Sequence, residues 1–584
     1  MSGQNTSTAG GLAARFAMWR ARRAPVATGF VSQPEPRSIG LYSRGKQLLA
    51  GNFFVAGQLI TAPNTAIWDI PLPRSKTPFT LPDERAGFAW LDDLAAVGDH
   101  AARKLAQDWT FLWLARFGTG KGAGWSADLT GRRLIRWINH APFLLATRKP
   151  ADSARFFAET SAQIAYLSRR WRTTAPGLAR IEALTGLIYA GLALEGMAAI
   201  VPEAEAALAR ECGVGFAPDG GIITRNPEEL LEVFTLLTWA EHAMADVGRP
   251  PPRALSAAIE SIAPCLRMLR HSDGGLARFH GGGRGSEGRL DHSLALAGIK
   301  SAGFSGPALG MGFARLSAGR TSVIVDTDAP PAGQAGRDGH ASTAAFELTS
   351  GRRPLVVSCG SGRPFGADWW RAGRATVSHS ALSVEGSSSA RILPPNGKQA
   401  SEFFADRPQV SDLKQAALPD GLHLSMCHNG WSKSHGLMHR RELWLTADGR
   451  KLAGLDRMYA ESDAENARLS RVLSDHWVEG IGLSVRWHLH PDVDATLDMG
   501  GKAVSLALKS GEIWVFRHDE RAALSLEPSI YLEKSRLRPR PTLQIVLTCR
   551  ARENDTRIGW TLAKAQDTPL AIRDVNDDDL SVPI

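Results

Sequence analysis

Cysteine is scarce in this chain: five residues in 584 (Cys212, Cys265, Cys359, Cys427 and Cys549), odd in number, widely spaced and without a CxxC pair. That usage excludes a disulfide framework and a structural zinc finger. Cys549 ends the alternating run Leu543, Ile545, Leu547 and reads as a core residue. Long apolar runs are also missing. The opening MSGQNTSTAGGLAARFAMWRARRAPVATGF has no continuous apolar core of the secretory type. The most apolar later stretch, IEALTGLIYAGLALEGMAAI (181–200), carries Glu182 and Glu195, and its Gly186, Gly191 and Gly196 suit tight helix packing in a bundle rather than a transmembrane span. No repeat of fixed period is legible. Zinc-finger spacing and aromatic-rich RNA-binding strands are absent as well, which makes nucleic acid a poor partner.

What is present is a basic, core-rich chain. Lys plus Arg number 68 against 59 for Asp plus Glu, a formal charge of +9, and the pI is near 9.4. This balance favours an acidic partner, and an acidic polysaccharide suits it. With 43% hydrophobic residues the chain can bury a large core and exceeds the usual size of one domain.

Pattern divides it into three stretches. Residues 1–37 read as a flexible tail, whose Arg15, Arg20, Arg22 and Arg23 alternatively line a short amphipathic helix on an anionic surface. Residues 38–311 open with turn-rich segments such as DIPLPRSKTPFTLPDE and turn helical from Trp90. Serial helices follow without intervening strands, which indicates an all-α layer. From about Gly312 to the C-terminus the period changes to two, as in SVIVDTD, RELWLT, SVRWHLHP and TLQIVLTC. Residues 312–584 therefore read as an antiparallel β-sandwich, and the chain as an α+β multidomain protein.

Three places carry candidate chemistry. On the helix expected after Asp128, Arg132 and Arg136 share a face and Trp137 lies beside them. Guanidinium plus indole is how a groove grips a uronate, and a helix that packs its Trp and solvates its Arg has the same signature. The loop PDGGIITRNPEELLEV (218–233) holds Arg225, Asn226 and Glu229, with Pro227 at a helix start. The third place is GRDGHASTAAFELTSGRRPLVVSCGSGRPFGADWWRAGRATVSHSALSVEG (336–386), three strand-like runs with polar groups at their ends. His340 stands at the mouth of the first run and His379 opens the third, so the two imidazoles can converge on one site. Arg374 lies between them as a substrate contact.

That central block resembles the heparinase II/III family of polysaccharide lyases. LTGRRLIRWINHA (130–141), HRRELWLTADGRKLAGLDRM (439–458) and RWHLHPDV (486–493) extend the resemblance over most of the chain in the family's order. It implies an incomplete α/α toroid followed by the β-sandwich, a location in the cell envelope or periplasm (the cytoplasm being the alternative), and β-elimination on a uronate-containing polysaccharide. It also implies a zinc site using His340 and His379, with Ser358 standing where the family has an Asp. Asp338 occupies the place of a catalytic His, and Ser342 that of the Asp in the family's HAD motif. The acid–base Tyr of the family falls near Glu229, and no Asn or His lies between Gly177 and Glu182 to neutralise the substrate carboxylate, which leaves Arg225 or Arg180 for that role. Two rival readings stay open. One is a toroid glycoside hydrolase using a carboxylate pair such as Asp219 and Glu229, and the other is a non-catalytic glycan-binding or envelope-assembly protein.

Overall fold

The computed structural model describes residues 11–32, 35–55, 58–71, 84–120, 122, 124–299, 308–392, 403–475, 479–534 and 536–567. The first ten residues of the expected tail and most of the turn-rich 69–84 stretch lie outside them. The chain groups into two compact units: Met1–Pro218, Leu231–Ala263 and Asp291–Ile299 in the first, and Asp219–Leu230, Pro264–Leu290 and Lys300–Ile584 in the second.

The first unit is helical, as the pattern predicts. It contains α1 (Leu12–Ala21), α2 (Tyr42–Leu49), α3 (Ala89–Val97), α4 (His100–Arg116), α5 (Ala127–Asn139), α6 (Ala141–Leu145), α7 (Pro150–Arg170), α8 (Leu178–Ala193) and α9 (Val201–Val214). α10 (Pro227–Asp246), α11 (Arg253–Met268) and α12 (Arg289–Leu296) are shared with the second unit at their ends. No described helix is long and apolar enough to cross a membrane. α1 forms inside the stretch read as a flexible tail: it buries Ala14, Ala17, Met18 and Ala21, and Arg22 just after it pairs with Glu159 of α7. Asp128 lies in the first turn of α5, and the cap position belongs to Ser126. α5 and α8 touch where both have glycine, since a Cβ on Gly186 would lie 2.6 Å from the Cα of Gly131. Small residues there permit a backbone approach that any side chain would block.

Besides the short pair β9 (Arg391–Ile392) and β10 (Phe404–Asp406), the second unit is built on two large antiparallel sheets. One runs in the order β11 (Val410–Leu418), β12 (Gly421–Trp431), β13 (Leu437–Thr446), β14 (Lys451–Tyr459), β21 (Asp555–Gln566), β18 (Ile513–His518), β17 (Ala503–Leu508), β16 (Val493–Asp498). The other runs β19 (Ala523–Tyr531), β20 (Arg540–Ala551), β15 (Ile481–Leu489), β7 (Arg353–Val357), β6 (Phe346–Ser350), β5 (Thr321–Asp326), β4 (Phe313–Ala318), β3 (Ala308–Gly310), with β8 (Leu382–Val384) also on β15. Alternating inward side chains of both sheets share one apolar core. Phe346 stacks on Trp560 at 5.7 Å, and Trp487 meets Phe516 at 4.7 Å. Because β8 and β7 both pair with β15, and β6 with β7, the loops entering β6 and β8 come together.

Candidate functional site

Those two loops carry His340 and His379, and their rings lie 4.9 Å apart between centroids. The convergence expected from the strand starts is therefore present. Both are buried, with 1% and 0% of their surface exposed. The Gly281 N–H donates to His340 Nε2 at 3.1 Å, which puts the His340 proton on Nδ1. Among the described residues no protein group hydrogen-bonds that Nδ1, either nitrogen of His379, or the hydroxyl of buried Ser358. Burial, followed by neighbouring His488 and His280, pushes His379 down to about 3. Burial and then the His379 and His280 rings hold His340 well below the ordinary 6.5. Both imidazoles are neutral at physiological pH.

Behind them lies Asp326, at the end of the fully buried strand β5. Its Oδ2 accepts the Ser342 hydroxyl at 2.6 Å, and its Oδ1 lies 2.5 Å from Nη2 of Arg225. His280 Nε2 is 3.4 Å from Oδ2, and His280 Nδ1 accepts the His340 N–H at 3.1 Å. Burial alone would raise the Asp326 carboxyl, but Arg225 and His280 hold it well below the usual carboxylate range. Arg225 is thereby corrected as a candidate for neutralising substrate. Three further N–H groups donate to the carbonyls of Met311, Gly312 and Ala329, so a buried carboxylate and three peptide oxygens engage four of the five guanidinium donors.

Asp338 and Glu229 lie nearer the surface. Asp338 Oδ2 takes Arg363 Nη1 at 2.6 Å, and Oδ1 takes the Trp370 indole N–H at 2.9 Å. Its side chain stays 28% exposed. Gly281, at φ +84°, fits against it because a Cβ there would lie 2.7 Å from the Asp338 Cβ. Glu229 is raised above its ordinary value by burial first and by the negative charge of Asp338 among the further causes. Glu228 beside them pairs with Lys534 at 2.5 Å. Asn226, expected to contact substrate, instead caps α10: its Oδ1 accepts the N–H groups of Glu228 and Glu229. Arg374 is likewise corrected. It is 1% exposed and clamps the carbonyls of Gly339 and Gly336, fixing the loop that carries His340.

The α5 candidates belong to the first unit and do not form a groove. Trp137 is fully buried, ringed by Phe88, Trp113 and Phe156 at 5.3–5.6 Å. Arg136 pairs with buried Asp92 at 2.8 Å and Arg132 with buried Glu182 at 2.5 Å. Stacking on a sugar is closed to an indole with no exposed face. The carboxylate pair suggested for a hydrolase fails for a similar reason, because both oxygens of Asp219 accept backbone N–H groups, from Gly221 and Met311.

Zinc does not fit the donor set. Among the described residues no three His, Cys, Asp or Glu side chains are placed to hold a metal ion. Ser358 brings a neutral hydroxyl where an anionic ligand is needed, and the carboxylates of Asp326 and Asp338 are held by arginines. Cys359 is no substitute, since burial pushes its thiol up to about 11.

Sequence reasoning missed a second buried histidine group. Gly430 N donates to His428 Nδ1 at 3.3 Å, so His428 Nε2–H donates to His439 Nδ1 at 2.9 Å, and His439 Nε2–H to Asp456 Oδ1 at 2.8 Å. Arg441 binds Asp456 through two nitrogens at 2.8 and 3.0 Å, and the Trp560 indole completes the carboxylate at 3.0 Å. Arg441 also reaches the carbonyls of Ala344 and Ser380, the latter next to His379. Arg441 and Asp456 are directly opposed across the hairpin β13–β14. That register, readable from the turn TADGRK, was the available signal.

A family model described as Heparinase II/III-like, C-terminal, matches residues 303–561. Over 498 residues the chain is 30% identical to the FtsZ-localized protein C of Caulobacter vibrioides (strain NA1000 / CB15N), covering 82% of this chain and 81% of that protein. Among solved structures, heparinase III superposes with a TM-score of 0.69 at 12% identity, over 94% of this chain and 89% of that one. A mutant of the heparan sulfate lyase HepC from Pedobacter heparinus gives 0.59 at 13% identity, over 95% and 88%. These two likenesses establish a shared fold, the incomplete α/α toroid with antiparallel β-sandwich.

Proposed function

Because the chain belongs to the heparinase II/III-like family, we propose that it uses the polysaccharide-lyase fold as a binding and assembly scaffold, without metal-assisted β-elimination. The observation that carries this reading is the buried imidazole pair. A lyase must neutralise the uronate carboxylate, remove the C5 proton and protonate the leaving oxygen. Here His340 and His379 are closed to a polymer by burial, and Arg225 is committed to Asp326. The Caulobacter relative is named for its localisation to FtsZ, and we carry that place of action over: this chain works with the division machinery. A fluorescent fusion of the full chain, imaged beside labelled FtsZ in its own host, tests this. Coincident midcell signal is expected. Signal spread evenly along the cell, independent of FtsZ, would refute it.

One specific observation favours a second reading, action on an acidic polysaccharide. Glu229 is raised by burial first and by the charge of Asp338 among the further causes, and two neighbouring carboxyls in unlike surroundings are the arrangement that general acid–base chemistry uses. Arg363 and Lys534 supply positive charge beside them, in keeping with the net charge of +9. Incubation with a panel of uronate polymers, followed by ultraviolet absorbance of unsaturated products and by reducing-end release, separates the readings. Scaffolding predicts neither signal. Absorbance that disappears in Glu229→Gln establishes elimination, and reducing ends without absorbance establish hydrolysis.

A further inference from the structure

α1 turns one face inward through Ala14, Ala17, Met18 and Ala21 and presents the opposite face to solvent. On that outer face Phe16 is 59% and Trp19 53% exposed. The two rings stack at 5.8 Å, and the Arg23 guanidinium lies 3.7 Å over the Trp19 ring. Arg15, Arg20 and Arg23 are exposed, while Arg22 is held by Glu159. Just beyond the helix Val26 and Val31 are 52% and 72% exposed. The sequence has no Asp or Glu before Glu35. Two aromatic rings are thus displayed with three cations and no acidic group of the same segment to answer them.

We propose that α1 is an interfacial helix that lays Phe16 and Trp19 into the headgroup–acyl boundary of an anionic lipid bilayer, with Arg15, Arg20 and Arg23 on the lipid phosphates. Each part of the patch suits that partner. Indole is at home where an apolar body meets a polar boundary, guanidinium matches phosphate geometry, and basic residues gain from the negative surface potential. The outer face belongs to a single convex helix, and such a helix lies in the interface plane. At ten residues it buries little apolar area, so association is reversible and depends on anionic lipid and low salt. This inference rests on α1 alone and stands whether or not the chain works with FtsZ.

Vesicle flotation of the full chain tests it, with phosphatidylcholine vesicles against the same vesicles containing phosphatidylglycerol. The chain should float with the anionic vesicles only, and added salt should release it. Phe16→Ser/Trp19→Ser and Arg15→Glu/Arg20→Glu should each cut the bound fraction by roughly tenfold. Their thermal midpoints should match the parent, because the changed side chains are exposed. Absence of flotation at low salt, equal flotation with neutral vesicles, or unchanged flotation of both double variants overturns the proposal. So does loss of a protein partner by the aromatic variant while vesicles never bind, which would assign the patch to protein docking.

Discussion

Two of the histidine groups buried in the strand-rich unit differ in how their polar atoms are met. In the His428–His439–Asp456–Arg441 group each imidazole nitrogen and both carboxylate oxygens have partners within the protein. In the His340–His379–Ser358 group four side-chain atoms have no protein partner among the described residues. A buried polar atom left unmet costs about 1–3 kcal/mol, whereas a fully met network fixes a unique geometry. The first group is therefore structural, tying loops of one sheet to the other through Arg441. The second occupies the positions that the family resemblance marks for chemistry, while its donors fit neither the metal nor an accessible base.

The sharpest way to break this contrast is at the structural group. Arg441→Met leaves Asp456 charged and buried with its strongest partner removed, and should destabilise the strand-rich unit by about 3–5 kcal/mol in urea denaturation. A loss near zero would show that the network holds nothing.

Acid stability should come next. His379 has its folded value at about 3, below the ordinary 6.5, so the unfolded chain takes up a proton there that the folded chain refuses. The stability from this group is complete above about pH 6.5 and is lost as pH falls toward 3, at about 1.4 kcal/mol per pH unit. Urea midpoints measured from pH 7 to pH 4 should fall, and His379→Leu should flatten the fall by one histidine's share. An unchanged slope would mean that His379 is charged in the fold.

At neutral pH the same His379→Leu variant should lie within about 1 kcal/mol of the parent, since no protein hydrogen bond to the ring is lost. A cost as large as that of Arg441→Met would erase the distinction between the two groups. Smallest of all is Arg363→Gln, which touches Asp338 at a side chain one-third exposed. It should shift stability by less than about 1 kcal/mol, and a larger loss in denaturant would make that pair structural.

The architecture was legible because period carries it. Helical spacing from Trp90 and alternation after Gly312 became helices and antiparallel strands, and the strand starts brought His340 and His379 together. Partners were not legible where they lie far apart in sequence. Arg225 and Asp326 are 101 residues apart, and nothing local marks a loop arginine as the counterion of a strand-end aspartate. Asp326 did carry a signal, an acid closing the apolar run SVIV, and such an acid needs a buried cation. Trp137 and its arginines show the other limit. A groove and a core produce the same spacing, and only the rings of Phe88, Trp113 and Phe156 decide between them.

Zinc content tests the central claim most directly. Protein purified without chelator and dialysed should carry far less than one zinc per chain, because two neutral imidazoles and a serine hydroxyl lack the anionic third ligand. Stoichiometric zinc that survives dialysis and is lost in His379→Ala would contradict the account and restore a metal site to this fold.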